Sequence, residues 1–350
     1  MIPVPPRRPR GRRALALLLA TAVAGTALAG CGDDEPASGA AATTTTAAAD
    51  APVSLRNCGQ ELRLEHAPRR AVAISQPAIE LLLTLGLADR MVGAAGWNDP
   101  VPKALEAENA KVPQLGKEFP SFERVLKTEP DLVYTTFAFG FSDEGTAPRE
   151  RFEKLGVATY LSPSECGGQE AQQSKRLRFE DVFGEVRDVA KLFGVGPRGE
   201  RLVGDLRGRL ARATGGLDAK GVTLGWWYAA TKAPYFAGCC GAPGMITREL
   251  GATNAFDDSK QLWPEVGWES ILDRDPDVLI LADLTRGGDG DSAKAKLDFL
   301  RRDPVARRLT AVRERRLIVV TASDMDPSLR NVGAVEKVAA GLRRLKVAGR

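Results

Sequence analysis

The chain is 350 residues long, 43% hydrophobic and 27% charged, with 49 Lys and Arg against 45 Asp and Glu. That length supports a sizeable core, and a formal charge of +4 gives no electrostatic ground for a nucleic-acid partner, which needs clustered Lys and Arg. The sole histidine, His66, leaves zinc hydrolases, Ser-His-Asp triads and multi-histidine metal sites poorly supplied.

Five arginines between Arg7 and Arg13 precede an uncharged alanine- and leucine-rich run over residues 14–30, closed by Leu28-Ala29-Gly30-Cys31. A basic start, a short apolar middle and small residues at the end describe an export signal, too short to span a bilayer comfortably. The last four residues resemble the bacterial lipobox. The expectation is therefore a lipoprotein signal peptide over residues 1–30, with Cys31 acylated and the mature protein held at the outer face of the cell membrane. Residues 31–52 are Ala, Thr, Ser, Gly, Pro and acids, including AAATTTTAAA, and read as a flexible linker.

From Val53 the composition becomes that of a globule. Short apolar runs predict strands at 72–74, 91–95, 132–135, 157–161, 222–228, 278–282 and 317–321, separated by helix-period segments. This alternation argues for an α/β fold with buried parallel strands. Between the two strand groups, Val182, Val186, Val189 and Phe193, then Leu202, Leu206 and Leu210, lie three or four residues apart. They predict two successive amphipathic helices, the second with Pro197 in its first turn. Gly194-Val195-Gly196-Pro197-Arg198-Gly199 matches a dinucleotide motif by letter, but it follows a helix rather than a strand and reads as a helix break.

One element occurs twice. Glu123-Arg124-Val125-Leu126 leads to Glu129-Pro130-Asp131-Leu132, and Glu269-Ser270-Ile271-Leu272 leads to Asp275-Pro276-Asp277-Val278. Each copy predicts a short helix ended by a proline turn that feeds a buried strand. A glutamate at a helix N-terminus is favourable alone, but that does not require a matched pair.

These two elements, with Pro68-Arg69-Arg70-Ala71-Val72-Ala73-Ile74-Ser75-Gln76-Pro77 and Leu85-Gly86-Leu87-Ala88-Asp89-Arg90-Met91-Val92-Gly93, resemble the class III substrate-binding proteins of bacterial ABC importers. That family serves ferric siderophores, haem and cobalamin. The resemblance implies two Rossmann-like lobes, at residues 53–195 and 217–350, bridged by a single long helix over 196–216, with ligand in the cleft between them. It implies a monomeric binding protein rather than an enzyme, without a cofactor of its own, working with a permease dimer and a cytoplasmic ATPase. Glu123 and Glu269 stand where the family docks on permease arginines, a use suited to charge-assisted bonds.

In α/β lobes the loops beyond the carboxyl ends of strands meet ligands. Those loops nominate Gln76, Trp97, Phe137, Trp226, Tyr228, Tyr235, Arg286, Met325 and Arg330, with at most one of Trp226 and Trp227 facing the cleft because neighbours on a strand point apart. Aromatic rings with arginines suit a metal chelate, a ferric siderophore first, with cobalamin, haem or a deazaflavin-type cofactor precursor as alternatives. A ligand sensor of the same fold stays open, and an enzyme is disfavoured because no nucleophile has a visible base. Cys58, Cys166, Cys239 and Cys240 are disulfide candidates outside the membrane. A bond between the neighbours Cys239 and Cys240 is geometrically demanding, so the expected pairing joins each to Cys58 or Cys166.

Overall fold

Asn57, Cys58 and Gly59 end one strand and turn the chain back into the next. Cys58 and Gly59 have φ of 49° and 85°, the left-handed pair that a two-residue hairpin turn requires. In the computed structural model, which describes residues 52–168 and 172–348, this hairpin comprises β1 (Val53–Asn57) and β2 (Gln60–Leu64). The expected signal peptide, Cys31 and the expected linker as far as residue 51 lie outside the described residues. Among the described residues, no helix is long and apolar enough to cross a membrane.

The first lobe holds β3 (Ala71–Ile74), β4 (Met91–Ala95), β5 (Gln114–Gly116), β6 (Leu132–Thr135) and β7 (Ala158–Leu161). They form one parallel sheet in the order β5-β4-β3-β6-β7. The second holds β8 (Thr223–Ala229), β9 (Tyr235–Phe236), β10 (Thr253–Asn254), β11 (Val278–Asp283) and β12 (Leu317–Thr321). Their order is β10-β8-β11-β12, all parallel, with β9 antiparallel to β8. Every residue of β3 and β6 is buried, so these strands show no alternation of buried and exposed positions.

Two helices separate the lobes in sequence, Phe179–Leu192 and Gly196–Thr214. The second buries Gly199, Val203, Leu206 and Leu210, one stripe at helical spacing. A Cβ at Gly199 would lie 2.5 Å from Ala190 Cβ, so this glycine serves close helix packing, not a phosphate.

The duplicated element has a physical reason. Glu129 and Asp275, each just before the proline, have φ of 48° and 34°, the left-handed turn that stops the helix. The following aspartate then binds the entry of the neighbouring strand. Asp131 accepts from the Arg69 amide at 2.7 Å and the Arg70 amide at 3.1 Å, just before β3, and Asp277 accepts from the amide and the hydroxyl of Thr223, both at 2.8 Å, at the start of β8.

The disulfides differ from the expected pairing. Cys58 bonds Cys166, with Cα atoms 5.0 Å apart, because the hairpin packs beside the end of β7, where Asn57 exchanges two hydrogen bonds with Leu161 at 2.8 and 2.9 Å. Cys239 and Cys240 are left buried in the other lobe and bond each other.

Glu185, on the helix before the bridge, is buried and accepts hydrogen bonds from Tyr134 at 2.6 Å and Ser162 at 2.8 Å. Burial pushes its carboxyl up to about 7, despite those two donors. The folded state thus holds this proton at a pH where the unfolded chain has released it. Its stabilising contribution is complete below the ordinary glutamate range and is lost as pH rises through 7. Glu185→Gln should flatten the fall in stability between pH 5 and pH 8 by on the order of 2–3 kcal/mol, read from urea unfolding. An unaltered pH slope would contradict this assignment.

Candidate ligand-binding cleft

In both lobes the first residue beyond the central strand is held at positive φ without being glycine: Ser75 after β3 at 74° and Ala230 after β8 at 61°. Such conformations cost about 1–3 kcal/mol and persist only where the surroundings dictate them. The Ser75 amide donates to Ala95 O at 2.8 Å and its hydroxyl accepts from the Thr136 amide at 3.1 Å, drawing the ends of β3, β4 and β6 together. Loops from the carboxyl ends of both sheets meet at one gap.

Three consecutive residues of the first lobe tie it to the second. Asn98 O accepts from Thr285 Oγ1 at 2.9 Å, Asp99 Oδ2 from the Ser323 amide at 2.8 Å, and Pro100 O from Arg330 Nη2 at 2.9 Å. At another edge, the Gln173 amide donates to Lys260 O and the Leu177 amide to Cys240 O, both at 2.9 Å, and Arg176 pairs with Asp257 at 2.8 Å.

Between these ties lie two recesses. One, of about 230 Å³, is walled by Trp97, Lys117, Phe119, Phe137, Thr285 and Arg286. The other, of about 260 Å³, runs from Pro163 and Glu165 to Cys240, Leu262 and Pro327. A chamber of about 20 Å³ adjoins the second, between Glu165, Trp263, Met325 and Asp326.

The nominated residues divide. Trp97 and Phe137 line the first recess, the Trp97 indole N–H fixed on Gln114 Oε1 at 2.8 Å. Arg286 lines it too, with half of its side chain exposed. Asp291 holds that guanidinium, at 2.7 Å between Nη2 and Oδ1, and the guanidinium carbon sits 5.5 Å from the Tyr228 ring centre. Tyr228 also packs on Trp263 at 4.6 Å, and burial first, then Asp326, raises its phenol.

The other nominated residues serve the fold. Trp226 is fully buried and its indole donates to Thr247 at 2.8 Å; Trp227 is equally buried against Phe236 and Trp268, so neither reaches the cleft. Gln76 is fully buried, its amide spent on Glu80 at 2.7 Å and on the Asn98 and Asp99 amides at 3.0 and 2.8 Å. Tyr235 is exposed at the edge strand β9, opposite Glu265, and walls neither recess nor the chamber. Met325 is buried and walls only the small chamber. Arg330 clasps Glu80 with two bonds, at 2.8 and 2.5 Å, in a largely buried pair, so it joins the lobes instead of offering a free cation.

Lys117 and Phe119 carry no sequence signal because they follow β5, which is only three residues long. Trp263 and Asp326 sit in irregular segments and Glu165 in a 3-10 helix of three residues, none of which periodicity marks. Glu123 and Glu269 are both exposed and second in their helices, Phe122–Leu126 and Trp268–Arg274. Hydrogen bonds from its own amide and from Ser121 lower the Glu123 carboxyl.

Two α/β lobes joined through a helix, with solute-sized recesses at facing strand ends, define a bilobal solute-binding protein. A family model described as periplasmic binding protein matches residues 72–323, and the chain belongs to that family, the class III binding proteins of ABC transport, which are extracytoplasmic and not enzymes. The vitamin B12-binding protein of Vibrio cholerae serotype O1 (strain ATCC 39541) is 24% identical over 241 residues, covering 67% of this chain and 79% of that protein. Among solved structures, a periplasmic binding protein from Veillonella parvula has a TM-score of 0.74 at 26% identity, covering 83% of this chain and 97% of its own. A protein of an ABC-type Fe3+-hydroxamate transport system from Saccharomonospora viridis has a TM-score of 0.70 at 26% identity, covering 83% and 99%.

Removing one member of a buried ion pair strands the other, at about 3–5 kcal/mol. Arg330→Met should therefore lower unfolding stability by about 3 kcal/mol, with part recovered when Glu80→Gln is added. Unchanged stability with lost solute affinity would return Arg330 to the binding surface.

Proposed function

We propose that the chain captures a ferric siderophore outside the cell membrane and delivers it to the permease of an ABC importer. The observation that carries this reading is the recess in which Trp97, Phe119 and Phe137 stand beside Lys117 and Arg286, drawn from both lobes. Rings bury the apolar frame of a chelator, while the two cations meet its anionic ligating groups. The hydroxamate-transport relative supports the choice of cargo. The described residues contain no group of three His, Cys, Asp or Glu able to hold an ion, so in this reading the iron arrives inside its chelator. Cobalamin is the second reading, favoured by the Vibrio relative. Haem has less support, since the one imidazole, His66, is exposed just before the amino end of β3, away from the cleft.

In the same reading Cys31 carries the lipid that holds the protein at the membrane, and residues 31–52 give it reach. Glu123 and Glu269 dock on arginines of the permease dimer, one from each lobe. The Trp268 indole donates to Thr231 O at 2.6 Å, just beyond the end of β8, and Phe119 precedes Glu123 by four residues, so both glutamates lie near the cleft end of their lobes. The lobes are taken as 53–195 and 217–350, with 196–216 bridging.

Titrating the purified protein with ferric hydroxamates should quench tryptophan emission saturably, and Trp97→Ala should weaken affinity by about 1–3 kcal/mol without altering the melting temperature. Cobalamin quenching in place of every ferric chelate would select the second reading. Glu123→Ala with Glu269→Ala should abolish uptake by cells carrying the permease while solute affinity stays at the wild-type value; undiminished uptake would remove the docking role.

A further inference from the structure

The small chamber behind the cleft carries charge that the mechanism above does not use. Asp326 is only 7% exposed, and its Oδ2 has no hydrogen-bond partner among the described residues. The side chain walls a chamber of about 20 Å³, with Glu165 from the first lobe and the Trp263 ring. A cavity of that size holds one water-sized group, since a water needs roughly 10–15 Å³ on this measure. An ammonium head fits it and a chelate does not.

The charges around the chamber do not cancel. Burial is the largest cause lifting the Asp326 carboxyl, to about 7, and the like charges of Glu165 and Asp99 lift it further. Arg330 and Arg286 are the cations that counter this, but each is committed elsewhere: Arg330 to Glu80 and Arg286 to Asp291, whose amide support from Gly288 completes that pair. Asp99 is occupied by the Ser323 amide. Tyr228, packed on Trp263 with the rings tilted by 34°, is held as a neutral phenol by burial and by Asp326. Asp326 is thus left without a cation of its own, beside an aromatic face that attracts cations. These carboxyl groups do not form a set able to hold a metal ion.

We propose that the chamber between Glu165 and Asp326 is a subsite for the primary ammonium of an amine-bearing solute, whose body fills the adjoining 260 Å³ recess. The two spaces share the walls Glu165, Gly241, Leu262 and Pro327, so one molecule occupies both. The ammonium bonds the carboxylates and lies against the Trp263 face. This inference rests on the reading that solute occupies the cleft, and it specifies a cationic appendage that the aromatic recess does not require.

Two probe pairs test it on the full chain. The first is n-butylammonium against n-butanol, followed by saturation-transfer NMR. At pH 8 the amine should bind saturably and the alcohol at least tenfold more weakly. Binding should fall at least tenfold at pH 5.5, where Asp326 is protonated, and likewise in Asp326→Asn. Thermal melting checks that this variant folds, and Glu165→Gln repeats the test if it does not. Equal binding of amine and alcohol, no binding of the amine, or affinity unchanged in a folded carboxyl variant overturns the subsite. The second pair is ferrioxamine B, with its pendant ammonium, against its N-acetyl form, read by tryptophan quenching. About tenfold tighter binding of the free amine supports the subsite. Equal affinities overturn it while leaving the chelate reading intact. Binding of neither counts against the chelate reading alone, and the butylammonium titration then decides the subsite.

Discussion

A parallel sheet offers a binding edge only if its strands end at a common level, and strands this short have few ladder bonds with which to set their own register. In this protein the level is fixed from the opposite end. Asp131 and Asp277 reach from the start of β6 and β11 to backbone amides just before β3 and at the start of β8, at 2.7 to 3.1 Å. A carboxylate accepting backbone N–H bonds is a strong, directional clamp. With the amino ends pinned, the carboxyl ends emerge together, and Ser75 can take the Thr136 amide across the gap between β3 and β6. The proline before each aspartate and the left-handed residue before that proline are what bring the carboxylate to the neighbouring strand.

The same logic places the acidic wall of the cleft. Glu165 ends a short 3-10 segment, Pro163–Glu165, soon after β7. The bond from Cys166 to Cys58 ties that segment to the hairpin, and Asn57 closes the end of β7 through both of its amide atoms. A crosslink spanning 108 residues restricts the unfolded chain, but its local effect is to hold a carboxylate at the lobe boundary. Keeping like charges buried there opposes closure, and the Arg330–Glu80 pair offsets it close by.

How far the sequence discloses this structure depends on the kind of signal. Strands 91–95 and 132–135 are read to the residue, since both faces are largely buried and the apolar run ends where burial ends, and 317–321 is read to the residue although Val319 is exposed, because its run of β-branched residues stops with the strand. The hairpin is hidden because one of its faces is exposed, and β5, β9 and β10 are too short to have a period. Position at a strand end brings Trp97, Phe137 and Arg286 to the cleft but misplaces Trp226, because strand alternation decides between two buried faces there, not between core and cleft. Gln76 and Arg330 do lie at strand ends facing the gap. Arg330 differs from Arg286 in that its partner, Glu80, comes from the other lobe and is within reach only in the folded chain, and Gln76 is spent on Glu80 one turn along its own helix and on the Asn98 and Asp99 amides. The cysteine pairing fails for a related reason: a local objection to the bond between neighbours says nothing about which distant cysteines the hairpin brings together.

The ties across the gap are unequal in kind. Residues 173–177 join the second lobe through backbone amides to backbone carbonyls, supported by Arg176 and Asp257, and Arg248 adds a bond to Leu177 O at 2.6 Å. Asn98, Asp99 and Pro100 join it instead through a hydroxyl, a carboxylate and a guanidinium, each of which can reorient about its own torsions. A bridging helix has no soft backbone torsion to act as a wide hinge, so admitting a solute larger than either recess has to rely on small displacements at such side-chain ties. Trp97 immediately precedes those three residues and forms the wall of the aromatic recess. The wall of the recess and the three side-chain ties across the gap are therefore carried on one continuous stretch of backbone, residues 97–100, so that only a displacement of that backbone, and not a turn of the Trp97 ring about its own torsions, reaches the ties.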